Sequence, residues 1–260
     1  MPICLPSFAG VVQPASGGTP FANQYSVSFD GTDDRMNVGT GVNPTGSATV
    51  SMWFRRTGSV SGYGGALIET NNIYKMGFDN TFAISLKNGT DLTLESYNST
   101  TGTYTNPVAA GVVSTNTWYH LALVLTYTDS STSSAQFYID GSTVGSAITL
   151  SGRTLAGLNE GFVIASYFVN NSYSYFFPGE VDELSIFNSA LSASDISTLR
   201  GGASAGTLGV PADISSLNPV GWWRMGENDG GTGTTITDQG SGGNNGTLTN
   251  GPTFSTTVPS

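Results

Sequence analysis

The sequence predicts an all-β protein in which two antiparallel sheets pack as a sandwich, and three observations carry that expectation. Glycine is abundant, 35 in 260 residues, and Ser, Thr and Asn fill the spaces between aromatic-rich runs. Charged residues make up only 10% of the chain, too few for long amphipathic helices facing water. Short runs alternate apolar and polar side chains with period two, punctuated by Asp-Gly pairs and by Asn, Gly and Thr turns. A chain of this length buries a full core, so one large sandwich with appendages accounts for it.

The elements follow in order. Residues 1–22, rich in Pro, Gly and small side chains, read as an extended arm that orders only against something else. Tyr25, Val27 and Phe29 alternate with Ser26 and Ser28, Asp30-Gly31 makes a turn, and Met36 and Val38 resume the alternation, which predicts a hairpin. Ala48–Phe54 is the next strand, followed by shorter candidates at Ala66–Ile68, Tyr74–Phe78, Phe82–Leu86, Asp91–Tyr97 and around Tyr104. Trp118–Tyr127 is apolar on both parities, as a central strand covered on both faces should be. Ala135–Asp140 runs into Gly141 and a second Asp-Gly hairpin. Phe162–Ile164 and Val181–Phe187 close the sandwich. Ser192 and Asp195 have capping-box spacing ahead of a short helix, Ile196–Arg200, which Gly201-Gly202 ends.

The segment Phe177–Phe187 poses a chemical question. Asp182 shares parity with Leu184 and Ile186, so if those two point inward the carboxylate does too. Burial of a carboxylate costs several kcal/mol unless it is paired, hydrogen-bonded or metal-bound.

Eight basic residues against eighteen acidic ones give a net charge of −10, which repels nucleic-acid phosphates and anionic lipid headgroups. Neither is an expected partner. No stretch approaches the roughly 20 apolar residues of a membrane span, and the start, Met1–Phe8, lacks the cationic and apolar regions of a secretory signal. The reading is a protein made in a cytoplasm without a signal peptide. The single cysteine, Cys4, sits in the arm and forms no internal disulfide.

Five fragments in this order resemble the laminin-G-like branch of the concanavalin A-like jelly rolls: Ser28–Asp34, Val50–Arg55, Trp118–Ala122, Phe137–Gly141 and Pro178–Phe187, followed by Ala190-Leu-Ser192. The resemblance covers about Tyr25 to Arg200 and implies a jelly roll over residues 23–200. The tail fragments Gly221–Glu227 and Thr235–Leu248 are similar to the segment that precedes the first strand in such domains, yet here they follow it. Roughly 40 residues are too few for a second sandwich, which needs on the order of 100. Residues 218–260 are therefore either a permuted edge of the same sandwich, the preferred reading, or strands lent to a neighbouring subunit, with residues 201–217 as a flexible Gly/Ala-rich linker. The arm, the single jelly roll and the Gly-Trp-Trp-Arg-Met-Gly tail also resemble virion proteins of tailed phages, which implies a capsid-decorating or tail-associated protein.

The same superfold hosts glycoside hydrolases whose catalytic strand resembles Glu-x-Asp-x-Glu or Glu-x-Asp-x-x-Glu. Glu180-Val-Asp182 begins that pattern, but Leu184 or Ser185 stands where the second glutamate belongs, so no catalytic residue is assigned. His120, the only histidine, lacks a triad and reads as a hydrogen-bonded structural residue. The run Gly240–Gly246 lacks the spacing and lysine of a phosphate loop and reads as a turn.

A calcium site is one candidate. If the first and last strands of the body pair as the resemblance implies, Asp30 approaches Asp182, and Asp238 sits in a loop able to add oxygen ligands, as do Asp33, Asp34, Asn244 and Asn245. The same residues equally fit Asx-turns. The other candidate is a glycan surface built from Tyr167, Asn170, Asn171, Tyr173 and Tyr175, where tyrosine faces stack on sugar rings and amides bind hydroxyls. Core packing explains those aromatics as well, as it does the further candidates Tyr63, Tyr97 and Tyr104. The expected role is a non-enzymatic phage virion protein whose partners are other virion proteins, itself as a homo-oligomer, and host glycans. The alternative is an adhesion module for host surface polysaccharide, and a hydrolase comes third.

Overall fold

The structure is a computed structural model that describes residues 21–42, 44–61, 65–70, 81–97, 108–129, 131–150, 161–169 and 172–260. In chain order its strands are β1 (Ser26–Asp30), β2 (Arg35–Val38), β3 (Ala48–Arg56), β4 (Ala66–Thr70), β5 (Thr81–Lys87), β6 (Asp91–Tyr97), β7 (Val108–Ala109), β8 (Trp118–Asp129) and β9 (Thr132–Ile139). They continue with β10 (Ser142–Thr149), β11 (Phe162–Ile164), β12 (Tyr167–Val169), β13 (Ser172–Ser174) and β14 (Pro178–Phe187). After helix α1 (Ala193–Leu199) come β15 (Gly221–Trp223), β16 (Thr235–Ile236), β17 (Gly246–Thr249) and β18 (Thr253–Ser255). The expected strand Tyr74–Phe78, the arm up to residue 20 with Cys4, Tyr63 and Tyr104 lie outside the described residues.

Two antiparallel sheets form the sandwich. The first runs β10-β9-β8-β3-β14-β1-β18, with β15 also on β14, and the second runs β16-β17-β2-β11-β4-β5-β6-β7. Strand β8 lies between β3 and β9, as its two-sided apolar pattern requires. Leu121, Leu123 and Leu125 enter the space between the sheets, whereas Ala122 and Val124 face the other way, under α1.

Two sequence expectations are corrected. The Asp30-Gly31 turn does not make a hairpin: β1 belongs to the first sheet and β2 to the second, so the turn carries the chain across the sandwich. Asp30 Oδ1 accepts the amides of Thr32 and Asp33, Asp34 Oδ2 accepts that of Asp30, and Gly31 at φ 76° leaves no room for a Cβ, which would stand 2.6 Å from Pro178 Cβ. The linker is no loose joint either. Arg200, 1% exposed, donates to the carbonyls of Ala203, Ser204 and Thr207 at 3.0, 2.6 and 2.7 Å and winds the chain around its guanidinium.

Helix α1 begins with the expected capping box, Ser192 and Asp195 bonding reciprocally. Its buried residues Ile196 and Leu199 join Phe187, Ile214 and Trp222 in a second apolar layer on the outer face of the first sheet. The C-terminal segment serves both sheets of its own chain: β15 pairs with β14, β18 with β1, and β17 with β2. Trp223 and Met225 are fully buried in the main core, where Trp223 meets Phe162 edge-on at 5.4 Å.

Candidate functional site

Asp182 is fully buried, but not where parity alone places it. A bulge between Asp182 and Ser185 slips the register against β3, with Glu183 at φ 45°. Val181 before the bulge and Leu184 and Ile186 after it all enter the main core. Asp182 therefore shares the outer face of the first sheet with Glu180, opposite Trp53. What covers it is the segment before β1: Asn23 Nδ2 donates to Asp182 Oδ2 at 3.0 Å, and the Glu183 amide to Oδ1 at 2.8 Å.

The bulge assembles a group of three carboxylates, Asp182, Glu183 and Glu227, with oxygens within 4.8 Å of one another. Glu183 accepts from Trp222 Nε1 at 2.6 Å and from Arg224 Nε at 2.9 Å. Glu227 accepts the backbone amides of Gln24 and Tyr25 at 2.7 and 2.8 Å. Arg224 also bonds the Ala22 carbonyl and lies over the Phe21 ring, which stacks on Trp222. Burial lifts all three carboxyls, and repulsion from neighbouring carboxylates adds to it at Asp182 and Glu183. Asp182 goes well above the ordinary range, and Glu183 reaches about 7 although the Arg224 charge pulls it down. The cluster clasps the N-terminal and C-terminal segments to β14.

The residues expected to share calcium stand in three different places. Antiparallel pairing of β1 with β14 is present, but it sets Asp30 opposite Pro178, four residues from Asp182, or ~13 Å along the strand. Asp238 accepts the amides of Trp222, Gly240 and Asn244 at 2.7, 2.7 and 2.8 Å and ties together the turn before β17. Asn245 Oδ1 accepts the Asp238 amide at 3.0 Å.

The histidine and the glutamate considered for catalysis have structural partners. His120 is fully buried, its Nε2 2.8 Å from Ser51 Oγ and its ring edge-on to Trp53, and burial pushes its pKa down to about 3. The small pocket it shares with Glu183, Ser185 and Pro211 has room for about one water. Glu180 pairs with Arg55 at 2.6 Å and accepts from Ser255 Oγ at 3.0 Å.

On the opposite side of the molecule, strands β12 and β13 form a hairpin against the outer face of the second sheet. Tyr167, 1% exposed, packs with Ala66 and Ala83 and donates to Glu95 Oε1 at 3.3 Å, so it is a support and not a contact surface. Tyr173 has the Arg35 guanidinium 3.9 Å from its centroid, packs against Phe168 at 4.7 Å, and donates to Asn37 Oδ1 at 3.1 Å. Tyr175 is different. At φ 56° it leaves the hairpin with 45% of its surface exposed, its ring edge-on to Tyr167 at 5.7 Å, and it is the most exposed large aromatic among the described residues. Asn170 and Asn171 lie outside the described residues, as does the Tyr97 side chain.

Sequence reasoning missed Arg35 and Asn37. The signal was there: Met36 and Val38 alternate inward, so their neighbours face outward on β2. Nothing local marked Asn23, Arg224 and Glu227 as partners of β14, since about 160 and 40 residues separate them from it.

Comparisons with known proteins fit this architecture. A candidate carbohydrate-binding protein of Bacteroides ovatus superposes with a TM-score of 0.62 at 17% identity over 93% of this chain, which spans only 62% of that protein's length. The SAP-like pentraxin of Limulus polyphemus gives 0.51 at 15% identity, covering 74% of this chain and 89% of its own. The CBM40 of the Ruminococcus gnavus IT-sialidase, solved with α2,3-sialyllactose, also gives 0.51, at 11% identity, covering 67% of this chain and 95% of its own. No curated protein sequence matches the chain. Residues 30–197 match the Laminin_G_3 model, so the chain belongs to the concanavalin A-like lectin/glucanases superfamily.

Proposed function

We propose that this protein is a non-enzymatic carbohydrate-binding module whose glycan contact is the β12–β13 hairpin on the outer face of the second sheet. The observation that carries the reading is Tyr175, an exposed ring held edge-on by a buried tyrosine and therefore presented at low entropic cost. Asn37 and Thr249 on the sheet beneath, 3.1 Å apart, supply amide and hydroxyl groups of the kind that bind sugar hydroxyls. The Bacteroides and Ruminococcus proteins support it as relatives in fold whose names refer to carbohydrate binding. The reading assigns glycan contact to the hairpin and none to calcium. A glycan array followed by calorimetry of the hits tests it. Saturable binding that Tyr175→Ala weakens at least tenfold is expected, and an array without hits would overturn it.

A second reading, display on a phage particle after synthesis in the host cytoplasm, draws on the sequence resemblance of the Gly221–Gly226 segment. Trp222 and Trp223 are buried within their own subunit, so attachment would fall to another part of the chain. Cryo-electron microscopy of particles carrying the chain tests it: ordered copies on capsid or tail support it, and their absence removes it.

A further inference from the structure

We infer that Arg35 is the anion anchor of this glycan site and makes it select sugars that bear a carboxylate. The inference rests on the glycan-binding reading and narrows it to a substrate class.

Arg35 is an arginine whose donors are largely unspent. Two ion pairs occur among the described residues, Arg55 with Glu180 and Arg224 with Glu183, and Arg35 is in neither. Among the described residues its one hydrogen bond is a long one, 3.4 Å from Nη1 to the Asp33 carbonyl, and its Nε is buried without a partner there. Arg200, by contrast, spends its guanidinium on carbonyls of the linker. A guanidinium offers five N–H donors in a planar fork, and its two Nη groups can hold a carboxylate bidentately.

The fork is also held in place. Tyr173 lies beneath the guanidinium at 3.9 Å, and its hydroxyl is fixed by Asn37, whose amide is fixed in turn by Thr249. Thr249 is the register partner of Arg35 on β17, so the chain of contacts closes on itself across two strands. Stacking occupies one face of the guanidinium, and since Nε is buried it is the Nη1–Nη2 edge that a ligand would meet. A planar, pre-positioned charge is what bidentate recognition needs, since little freedom is lost on binding.

Position completes the argument. Tyr173 lies in β13, and Tyr175 follows just past the strand's end at Ser174, in left-handed conformation. The two rings have different supports, Phe168 under Tyr173 and Tyr167 beside Tyr175, so the anion contact at Arg35 and the ring contact at Tyr175 can be tested separately. The rest of the molecule works against indiscriminate anion binding: the net charge is −10, and Asp30 and Asp33 are exposed on the turn that leads into β2. Any preference for an acidic sugar must therefore come from a local, directed contact and not from the overall field.

The test is an array and titration series of α2,3-sialyllactose, tetragalacturonate, their methyl esters, lactose, and a sulfated lactose. Wild-type protein is expected to bind a free-acid glycan at least tenfold more tightly than its methyl ester. Arg35→Gln should abolish that difference and keep ester binding, Arg35→Lys should recover little of it, and Tyr173→Leu should reduce it by loosening the guanidinium. Tyr175→Ala should weaken acid and ester together. Melting temperatures of the variants, with retained ester binding, separate a lost contact from a lost fold. Equal affinity for acid and ester would overturn the role of Arg35 and leave the glycan-binding reading standing. Equal gain from sulfate and carboxylate would overturn the carboxylate assignment. No binding to any glycan on a broad array would overturn both.

Discussion

The indole N–H of Trp222 reaches Glu183 Oε2 across 2.6 Å, tying the C-terminal strand β15 to the bulge of β14 at a residue in left-handed conformation. Nearby, Asp182 and Glu227 hold the segment that precedes β1. The first prediction concerns pH. Burial raises Glu183 from an ordinary 4.5 to about 7, so the folded chain keeps a proton that the unfolded chain has released. That contribution is complete below pH 4.5 and is lost as pH rises through about 7, at ~1.4 kcal/mol per pH unit. Glu183→Gln should flatten the decline between pH 5 and 7 in urea denaturation. A variant profile parallel to wild type would remove Glu183 from this role.

His120 acts with the opposite sign. Folding holds it neutral down to about pH 3, whereas the unfolded imidazole takes a proton below its ordinary 6.5. Stability from this group is present above pH 6.5 and falls on acidification, again by ~1.4 kcal/mol per unit until about pH 3. His120→Gln should therefore lose stability less steeply than wild type between pH 6 and 4. An unchanged acid slope would mean that another group governs it.

Removal of the C-terminal segment should unfold the sandwich. Trp223 and Met225 are fully buried in the main core, and the segment supplies strands to both sheets. Trp223→Ala alone should cost ~3–5 kcal/mol, the usual loss for a buried aromatic with its cavity. Chain cut after Gly206 should show no cooperative melting transition. A truncated chain melting at the wild-type temperature would contradict the pairings of β15, β17 and β18.

Chelation should leave both the melting temperature and glycan binding unchanged. Asp30, Asp182 and Asp238 do not converge, and Asp238 already accepts three backbone amides. A fall in melting temperature with EDTA, restored by calcium, would instead place a cation in one of the two carboxylate groups, Asp30–Asp33–Asp34 or Asp182–Glu183–Glu227.

Tyr175→Ala should remove at least nine-tenths of glycan affinity while moving the melting temperature little, because nearly half of the residue's surface faces solvent. Tyr167→Ala should do the reverse first, lowering stability by ~3–5 kcal/mol, since that ring is buried under the hairpin. Equal stability losses from the two would show that Tyr175 is a packing residue.

Much of the site's framework was legible locally. Period-two alternation marked β1, β2 and β3, a run apolar on both parities marked β8, and the cap at Ser192 marked α1, because these depend on neighbours within a few residues. The glycan candidates were legible only as a list. Tyr167, Tyr173 and Tyr175 look alike in sequence, yet one is buried, one is roofed by Arg35 and one is exposed. Which ring faces water depends on strand β2 and on the strand pair β4–β5 beneath the hairpin, far away in the chain.

The sequence by itself determined the sandwich, many of its strands and the short helix after β14, since side-chain alternation and turn chemistry are local properties. Only the tertiary structure decided where the chemistry sits. The bulge at Asp182–Ser185 moved Asp182 to the outer face, because one residue of slip exchanges inside for outside. The Asp30 turn became a crossing between sheets, and Arg35 came to rest over Tyr173, because long-range packing and not local propensity fixes which strands become neighbours.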